Sequence, residues 1–173
     1  MNVIEFAMQM ELDGREFYLR SAQNAPEPEL KEILKYLADE ETRHYNFFKR
    51  LHDGKTAEAE KELDAGTSLK ETKNVFVKLS EAGKEKEFGD GARKVWTEAM
   101  KIEEKSVDLY TSEAAKESDP ERKALLSRIA AEEQNHVYLI DNVLSFMTDP
   151  GEFVDSQKFA NFKSWEGRSA DDE

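Results

Sequence analysis

The stretch EETRH at residues 40–44 returns as EEQNH at residues 132–136, and this pair of stretches decides the fold of the chain. Around them, residues 7–44 and 99–136 align without a gap and share 13 identities in 38 positions. A repeat of this kind indicates two copies of one helical pair, and neither copy can bury its apolar face alone. We therefore expect one bundle built from two helical pairs rather than two separate domains.

A glutamate and a tyrosine recur with the same spacing ahead of each stretch. Glu11 is followed by Tyr18, and Glu103 is followed by Tyr110. At about 100° per residue, each of these glutamates shares its helix face with side chains that are mostly apolar or small. Each half of the chain thus places one glutamate on an apolar helix face and follows it with a Glu-x-x-His pair.

Four carboxylates and two imidazoles are therefore expected in one core. They are Glu11, Glu41, His44, Glu103, Glu133 and His136. An ionised carboxylate buried without a partner is very costly, and two divalent cations would offset four of them. A Glu and a His three residues apart lie on adjacent turns of a helix, so both can reach one ion. Oxygen-rich ligation with one imidazole per metal suits iron or manganese, with zinc as another occupant. The set is typical of a carboxylate-bridged di-iron site in a four-helix bundle, which predicts two Fe ions per chain.

Composition favours an all-α fold. The chain has 173 residues, only four prolines and eight glycines, and many Glu, Lys, Ala and Leu residues, which favour helix. The formal net charge of −13 argues against nucleic acid and against an anionic membrane surface as partners. No run approaches 18 consecutive apolar residues, so we expect no membrane span.

Cysteine is absent, which excludes disulfides, thiolate zinc sites and iron–sulfur clusters held by thiolates. Any metal must therefore be bound by oxygen and nitrogen. The N-terminal residues lack a basic segment followed by an apolar run, so they do not resemble a secretion signal. We expect a cytoplasmic protein.

Proline, glycine and capping residues set the predicted limits of four long helices. These helices run over about 3–23, 29–52, 91–117 and 120–147. Pro26 and Pro28 end the first helix, Asp53 and Gly54 end the second, and Pro120 begins the fourth. We expect a bundle over residues 1–150 and a C-terminal tail over residues 151–173.

The connector over residues 53–89 is long enough to cross between the two ends of a bundle. We expect one short helix in it, over about 69–80, where apolar residues fall on one side. The tail carries four aromatic residues, which we expect to pack on the bundle or on a partner. They are Phe153, Phe159, Phe162 and Trp165.

Several residues near the expected ligands have two interpretations. Tyr18 and Tyr110 either pack in the core or donate a hydrogen bond to a ligand carboxylate across the bundle. Gly14 and Ser106, one turn after Glu11 and Glu103, either leave room for a small oxidant or let the helices pack closely.

Three polar residues are not expected to be ligands. Glu40 and Glu132 precede the ligand glutamates by one position and therefore point about 100° away from them. We expect them on the surface or hydrogen-bonded to ligands. The third histidine, His52, has no counterpart of the same type in the other half and is expected at a helix end.

These motifs resemble the rubrerythrin branch of the ferritin-like superfamily over roughly residues 3–147. The matching patterns are Ala7-x-x-x-Glu11-x-x-Gly14-x-x-Phe17-Tyr18, Glu41-x-x-His44, Ala99-x-x-x-Glu103-x-x-Ser106-x-x-x-Tyr110 and Glu133-x-x-His136. The resemblance implies a ferritin-like four-helix bundle, commonly dimeric, with a di-iron centre that reacts with hydrogen peroxide or dioxygen. It also implies that Glu41 and Glu133 bridge the irons. Terminal ligands would be Glu11, His44, Glu103 and His136, and the sequence leaves open which His shares an iron with which Glu.

This chain departs from the typical rubrerythrin pattern in two ways. Typical members end in a rubredoxin-like module whose four cysteines hold one iron, and this chain has no cysteine. Electrons would therefore have to come from an external donor such as a rubredoxin-like protein. Typical members also place an extra Glu at the position of Ser106, so an exchange of ligands between His and that Glu is not expected here.

Three functions remain open at the level of the sequence. The leading hypothesis is a di-iron oxidoreductase that reduces hydrogen peroxide or dioxygen, with Tyr18 and Tyr110 tuning the ligand carboxylates. The second is an iron-handling protein that oxidises Fe(II) for detoxification or storage, which would need a hollow shell rather than a dimer. The third is a helical bundle without chemistry, which would bind no metal.

Overall fold

The computed structural model describes residues 2–66, 75, 77–79, 81 and 87–156, and helices are the only regular elements in these ranges. They are α1 (Val3–Asn24), α2 (Pro28–His52), α3 (Thr56–Asp64), α4 (Asp90–Lys116), α5 (Pro120–Thr148) and α6 (Pro150–Asp155). Residues 75, 77–79 and 81 are also helical. The predicted all-α bundle is confirmed, and each long helix ends within one residue of its predicted limits.

Capping residues explain where the long helices begin and end. Asn2 and Glu5 form a reciprocal capping box at the start of α1, with both hydrogen bonds at 2.9 Å. At the start of α5, Asp119 accepts a hydrogen bond of 2.8 Å from the backbone N–H of Arg122. Gly54, just after α2, has a φ of +73°, a backbone conformation that glycine adopts without steric cost.

The four long helices run antiparallel to their neighbours. Short loops join α1 to α2 and α4 to α5, so each pair forms a helical hairpin. Across the hairpins, Tyr18 contacts Glu103 while Tyr110 contacts Glu11, so residues later in α1 meet residues earlier in α4. This pairing requires α1 and α4 to run in opposite directions. The arrangement brings the same level of all four helices to the middle of the bundle.

The apolar core is divided into two layers, one on each side of this middle level. One layer includes Tyr18, Leu37, Trp96, Leu139 and Phe146. The other includes Ala7, Phe47, Phe48, Tyr110 and Ile129. All six predicted ligands lie between residues of the two layers along their helices. The polar side chains are therefore enclosed by apolar packing on both sides.

The connector contains a helix that we did not predict, α3, which packs on α2 and contacts α5. Only two of its residues, Ala59 and Leu63, are buried, so its sequence has almost no apolar period. The short helix expected over 69–80 lies partly outside the described residues, although Val75 and Leu79 are buried in the core.

The second helix that we did not predict is α6, at the end of the bundle. Its Phe153 packs edge-on against Phe146 with ring centroids 5.9 Å apart, as expected for an aromatic residue of the tail. The other three tail aromatics, Phe159, Phe162 and Trp165, lie outside the described residues.

Candidate metal centre

The structure brings the six predicted ligands together in the middle of the bundle, each at most 3% exposed. Helices α1 and α4 contribute one glutamate each, whereas α2 and α5 contribute a glutamate and a histidine each. The residues are Glu11, Glu41, His44, Glu103, Glu133 and His136. Their role as ligands remains a prediction, which the geometry of the site supports as follows.

Glu133 lies between the two histidines. Its Oε1 is 2.9 Å from Nδ1 of His44, and its Oε2 is 3.1 Å from Nδ1 of His136. The imidazole rings are roughly parallel, with centroids 5.5 Å apart. A carboxylate whose two oxygens face two separate imidazole nitrogens has the arrangement that a bridging ligand needs.

Each histidine also has a glutamate of its own hairpin at the same level. Nδ1 of His44 is 3.7 Å from Oε2 of Glu11, and Nδ1 of His136 is 3.4 Å from Oε2 of Glu103. These distances therefore place Glu11 beside His44 and Glu103 beside His136, although which histidine shares a metal with which glutamate stays a prediction.

Four buried polar atoms of this cluster make no hydrogen bond to any described residue: Oε2 of Glu11, Nδ1 of His44, Oε2 of Glu103 and Oε1 of Glu133. Buried polar groups are almost always hydrogen-bonded, so a cluster of orphaned atoms calls for an explanation. All four belong to side chains that bind metals, and together the four carboxylates carry a formal charge of −4. Two divalent cations would satisfy both the orphaned atoms and the charge.

Glu41 completes the site beside Gly14. One of its oxygens lies within 4.8 Å of ligand atoms of Glu103, Glu133 and His136. A Cβ at Gly14 would lie only 2.8 Å from Oε2 of Glu41. The missing side chain at position 14 therefore leaves room for the Glu41 carboxylate, which is neither of the two interpretations suggested by the sequence.

Burial and mutual repulsion raise the pKa of two of the carboxylates. Burial, followed by the charges of Glu11 and Glu103, raises the pKa of Glu41 well above its usual value. Burial likewise raises the pKa of Glu103 to about 7, although the charge of His136 opposes that shift. Without a metal, these carboxyl groups tend to keep their protons.

The histidines and Glu133 compensate one another. Burial opposes protonation of His136, but the nearby charge of Glu103 and the hydrogen bond to Glu133 raise its pKa to about 10. The pKa of His44 is also raised, mainly by the charge of Glu133 against the effect of burial. Burial opposes ionisation of Glu133, but both histidines lower its pKa. Protons therefore supply the positive charge in the metal-free site, and metal ions would replace them.

Two tyrosines hydrogen-bond to ligand glutamates of the opposite hairpin. The hydroxyl of Tyr18 donates to Oε1 of Glu103, and the hydroxyl of Tyr110 donates to Oε1 of Glu11. Burial, followed by the charge of the accepting carboxylate, raises the pKa of both phenols, so they remain protonated donors. Each tyrosine fixes one glutamate oxygen and leaves the other, orphaned oxygen facing the centre.

An outer layer of charged residues contacts the far nitrogens of the histidines. Nε2 of His44 is 3.2 Å from Oε2 of Glu132, and Nε2 of His136 is 3.9 Å from Oε2 of Glu40. Nη2 of Arg43 lies 2.5 Å from Oε2 of each of these two carboxylates. An Nε2–H that faces a carboxylate keeps Nδ1 unprotonated for a metal.

Glu40 and Glu132 were expected on the surface or hydrogen-bonded to ligands. Glu132 hydrogen-bonds to His44, whereas Glu40 is buried, accepts from Arg43 and lies 3.9 Å from His136. Arg43 was not among the predicted site residues. The only sequence signal for it is its place three residues after Glu40, where a helical ion pair forms. His52 lies at the exposed end of α2, beside Asp53, as expected.

A bundle of four long helices with a Glu and a Glu-x-x-His in each half defines the ferritin-like class of carboxylate metal proteins. The family model described as Rubrerythrin matches residues 2–144, so the chain belongs to the rubrerythrin family. Membership suggests a di-iron protein, and the buried carboxylate and histidine groups can hold metal ions. Neither the curated proteins nor the solved structures gave a match to this chain.

Among the described residues, no helix combines the length and the apolar character needed to cross a membrane.

Proposed function

We propose that this protein is a non-haem di-iron oxidoreductase that reduces hydrogen peroxide, or dioxygen, with electrons from an external donor. The observation that carries this proposal is the set of four orphaned polar atoms at the centre of the bundle, on side chains suited to iron. In a purely structural core, only two protonated histidines would offset the formal charge of −4 of the four buried carboxylates.

The distances suggest how the chain would hold two metal ions. Glu133 lies between the two histidines, as a bridging ligand does. Glu41 lies close to ligand atoms of Glu103, Glu133 and His136 and would be the second bridging ligand. The remaining ligands would form two pairs, Glu11 with His44 and Glu103 with His136. Two bound ferrous ions would supply the two electrons that, together with two protons from solvent, reduce hydrogen peroxide to two water molecules, and they would act as Lewis acids.

The residues around the ligands would hold the site ready for this reaction. Tyr18 and Tyr110 fix one oxygen of Glu103 and of Glu11, so that the other oxygen stays directed to the centre. Glu132 would accept from Nε2 of His44 and thereby leave Nδ1 of that ring free for a metal. The two apolar layers exclude bulk water, which strengthens the electrostatic interactions inside.

The partners form part of the same proposal. We expect hydrogen peroxide or dioxygen as oxidant and a separate reductant, such as a rubredoxin-like protein, because the chain has no cysteine to hold a second iron centre. A homodimer, a cytoplasmic location and the absence of nucleic-acid and membrane partners remain predictions.

Anaerobic loading of the metal-free protein with Fe(II), followed by titration with hydrogen peroxide, tests the proposal. We expect two Fe per chain, oxidised by one equivalent of peroxide much faster than free Fe(II). A variant with Glu104→Gln, at an exposed residue next to Glu103, provides the matched control and should behave as the wild type.

Two results would contradict the proposal. Failure to bind two Fe per chain would remove the redox chemistry and leave another metal or a scaffold. Catalytic oxidation of many Fe(II) per chain, by an assembly large enough to be a closed shell, would instead indicate iron storage.

A further inference from the structure

The guanidinium of Arg43 lies where a metal ion would otherwise fit. Its Nη2 is 2.5 Å from Oε2 of Glu40 on α2 and 2.5 Å from Oε2 of Glu132 on α5. Carboxylate oxygens bind divalent cations at about 2.0–2.6 Å, so the two oxygens already converge as they would on an ion. Glu40, His44 and Glu132 also satisfy, by distance, the arrangement of a metal-binding group.

The surroundings fix this guanidinium in place. Nη1 of Arg43 donates to the backbone carbonyls of Glu62 at 3.1 Å and of Leu63 at 3.4 Å, both at the end of α3. A Cβ at Gly66 would lie 3.1 Å from Cζ and Nη2 of Arg43, so the chain after α3 closes tightly over the side chain. Arg43 is 9% exposed, and its charge is balanced by carboxylates from two helices.

Beside the guanidinium is a cavity of about 190 Å³ whose lining includes Tyr36, Asn135 and His136, together with Arg43 and both of its carboxylate partners. Arg43 therefore lines the cavity beside His136, and its Nη2 lies 3.4 Å from Nε2 of His44. Without its charge, the two carboxylates would offer a cation from solvent a position directly behind the metal ligands.

We propose that Arg43 occupies a third cation position beside the two-metal site and thereby prevents a metal ion from binding between Glu40 and Glu132. This inference rests on the proposed function, because it assumes that the inner site holds its own metals. Its consequence is that the number of metal ions bound at the centre of the bundle stays at two. The repeat supports a single such cation, because the residue equivalent to Arg43 in the other half is the uncharged Asn135.

Saturation with Mn(II), measured as metal bound per chain after equilibrium dialysis, tests the proposal on the full chain. Arg43→Gln is expected to bind one Mn(II) more than the wild type. Arg43→Lys keeps a cation and is expected to bind the same number as the wild type. Arg50→Gln serves as the matched control, because Arg50 is on the same helix and its side chain pairs with two carboxylates, Glu58 and Glu62, that are not among the predicted ligands. Arg50→Gln also leaves two carboxylates without their cation, so the Mn(II) that it binds in excess of the wild type measures binding at the protein surface.

Equal binding by Arg43→Gln and the wild type would overturn the proposal, and so would an equal gain in Arg50→Gln. If Arg43→Gln is unfolded without metal, the number of Mn(II) equivalents needed to recover its helicity gives the same comparison. A different result would contradict the proposed function: the wild type itself would bind fewer than two ions, whatever the difference between the variants.

Discussion

Glu41 and Glu133 are equivalent residues in the two halves of the bundle, yet their carboxylates have opposite surroundings. Both histidines lie within 3.1 Å of Glu133 and lower its pKa. The surroundings of Glu41 raise its pKa through burial and the charges of Glu11 and Glu103. The repeat thus supplies the same ligand types twice, but only one of the two central glutamates is compensated by protonated histidines when metal is absent.

The other differences between the halves lie around the ligands rather than among them. Arg43 corresponds to Asn135, and Gly14 corresponds to Ser106. Arg43 serves the outer carboxylates of both halves, and Gly14 makes room for Glu41 alone. The ligand types are therefore the same in the two halves, whereas the residues that position them differ. Variants at equivalent positions in the two halves separate the role of a ligand from the role of a positioning residue.

The largest expected effects, on metal binding and on the free energy of unfolding, come from comparing Glu133→Gln with Glu41→Gln. Both variants should lose binding of two metals, because each removes a charged ligand from the centre. In the metal-free protein we expect Glu133→Gln to lower the free energy of unfolding by about 3 kcal/mol, because it leaves buried imidazolium groups without their counter-ion. Glu41→Gln should not lower it, since the raised pKa of Glu41 keeps its carboxyl group neutral without metal and a neutral amide of the same shape replaces it. Metal analysis and urea unfolding of both variants measure the two effects, and equal destabilisation by both would contradict the asymmetry.

Four helices and the clustering of six polar residues were predictable because both follow from short-range signals. Helical periodicity places Glu41 and His44 on one face, and the gapless repeat places Glu133 and His136 at the equivalent level. The pairing of each histidine with one glutamate was not predictable, since it depends on distances between helices.

The role of Arg43 was hidden for a different reason. Its second partner, Glu132, is 89 residues away along the chain, and the helical period points Arg43 about 100° away from His44. In a chain with 25 Lys and Arg residues, one more arginine carries no signal of its own. The helix α3 was missed because its contacts are made by only two apolar side chains, Ala59 and Leu63.

The next largest expected effect is a pH dependence of the Tm of the metal-free protein, which bound metal should remove. The raised pKa values of His44, His136 and Glu103 mean that the folded, metal-free protein binds protons more tightly than the unfolded chain. The resulting stability is complete below the unfolded pKa values, near 4.5 for Glu103 and 6.5 for the histidines, and is lost as the pH rises through about 7 and about 10. We therefore expect the Tm of the metal-free protein to fall between pH 6 and about pH 10.

In the metal-loaded protein the same groups are deprotonated ligands, so its Tm should fall much less over this range. Thermal unfolding in a chelator and in excess Mn(II), at steps of one pH unit, measures the difference. His52→Gln is the matched control, because His52 is exposed at a helix end and its removal should leave both profiles unchanged. A metal-free Tm that is constant or rises with pH would contradict the proton compensation.

A smaller effect, on metal affinity, is expected from Gly14→Ala compared with Ser106→Ala. The new Cβ would come within 2.8 Å of Glu41 Oε2, so the carboxylate must move out of the position in which it reaches a metal. We expect metal affinity to fall by about tenfold to a hundredfold, in the range found for residues that position ligands. In the metal-free protein the Glu41 side chain can rotate away, and Ala favours helix over Gly by up to about 1 kcal/mol, so stability should not fall.

Ser106→Ala should change metal affinity by less than twofold to threefold, because it adds no atom and leaves the ligands in place. Competition with a chromophoric chelator for Mn(II) gives both affinities. Equal losses at the two positions would mean that Gly14 matters through helix packing rather than through space for Glu41.

The smallest effect should come from Tyr18→Phe and Tyr110→Phe, and it should be the same for both. Each substitution removes one hydroxyl that donates to a ligand glutamate of the opposite hairpin, and each leaves the ring packing intact. A hydrogen bond to a charged group contributes about 1.5–3 kcal/mol, but the carboxylate that loses it can be compensated in part by the metal itself. We therefore expect metal affinity to fall by up to about tenfold in each variant, and Tyr138→Phe, at a tyrosine that is 59% exposed, to leave it unchanged. Chelator competition measures all three affinities. A large loss in only one of the two buried variants would show that the tyrosines, like Glu41 and Glu133, have unequal roles despite their equivalent positions in the repeat.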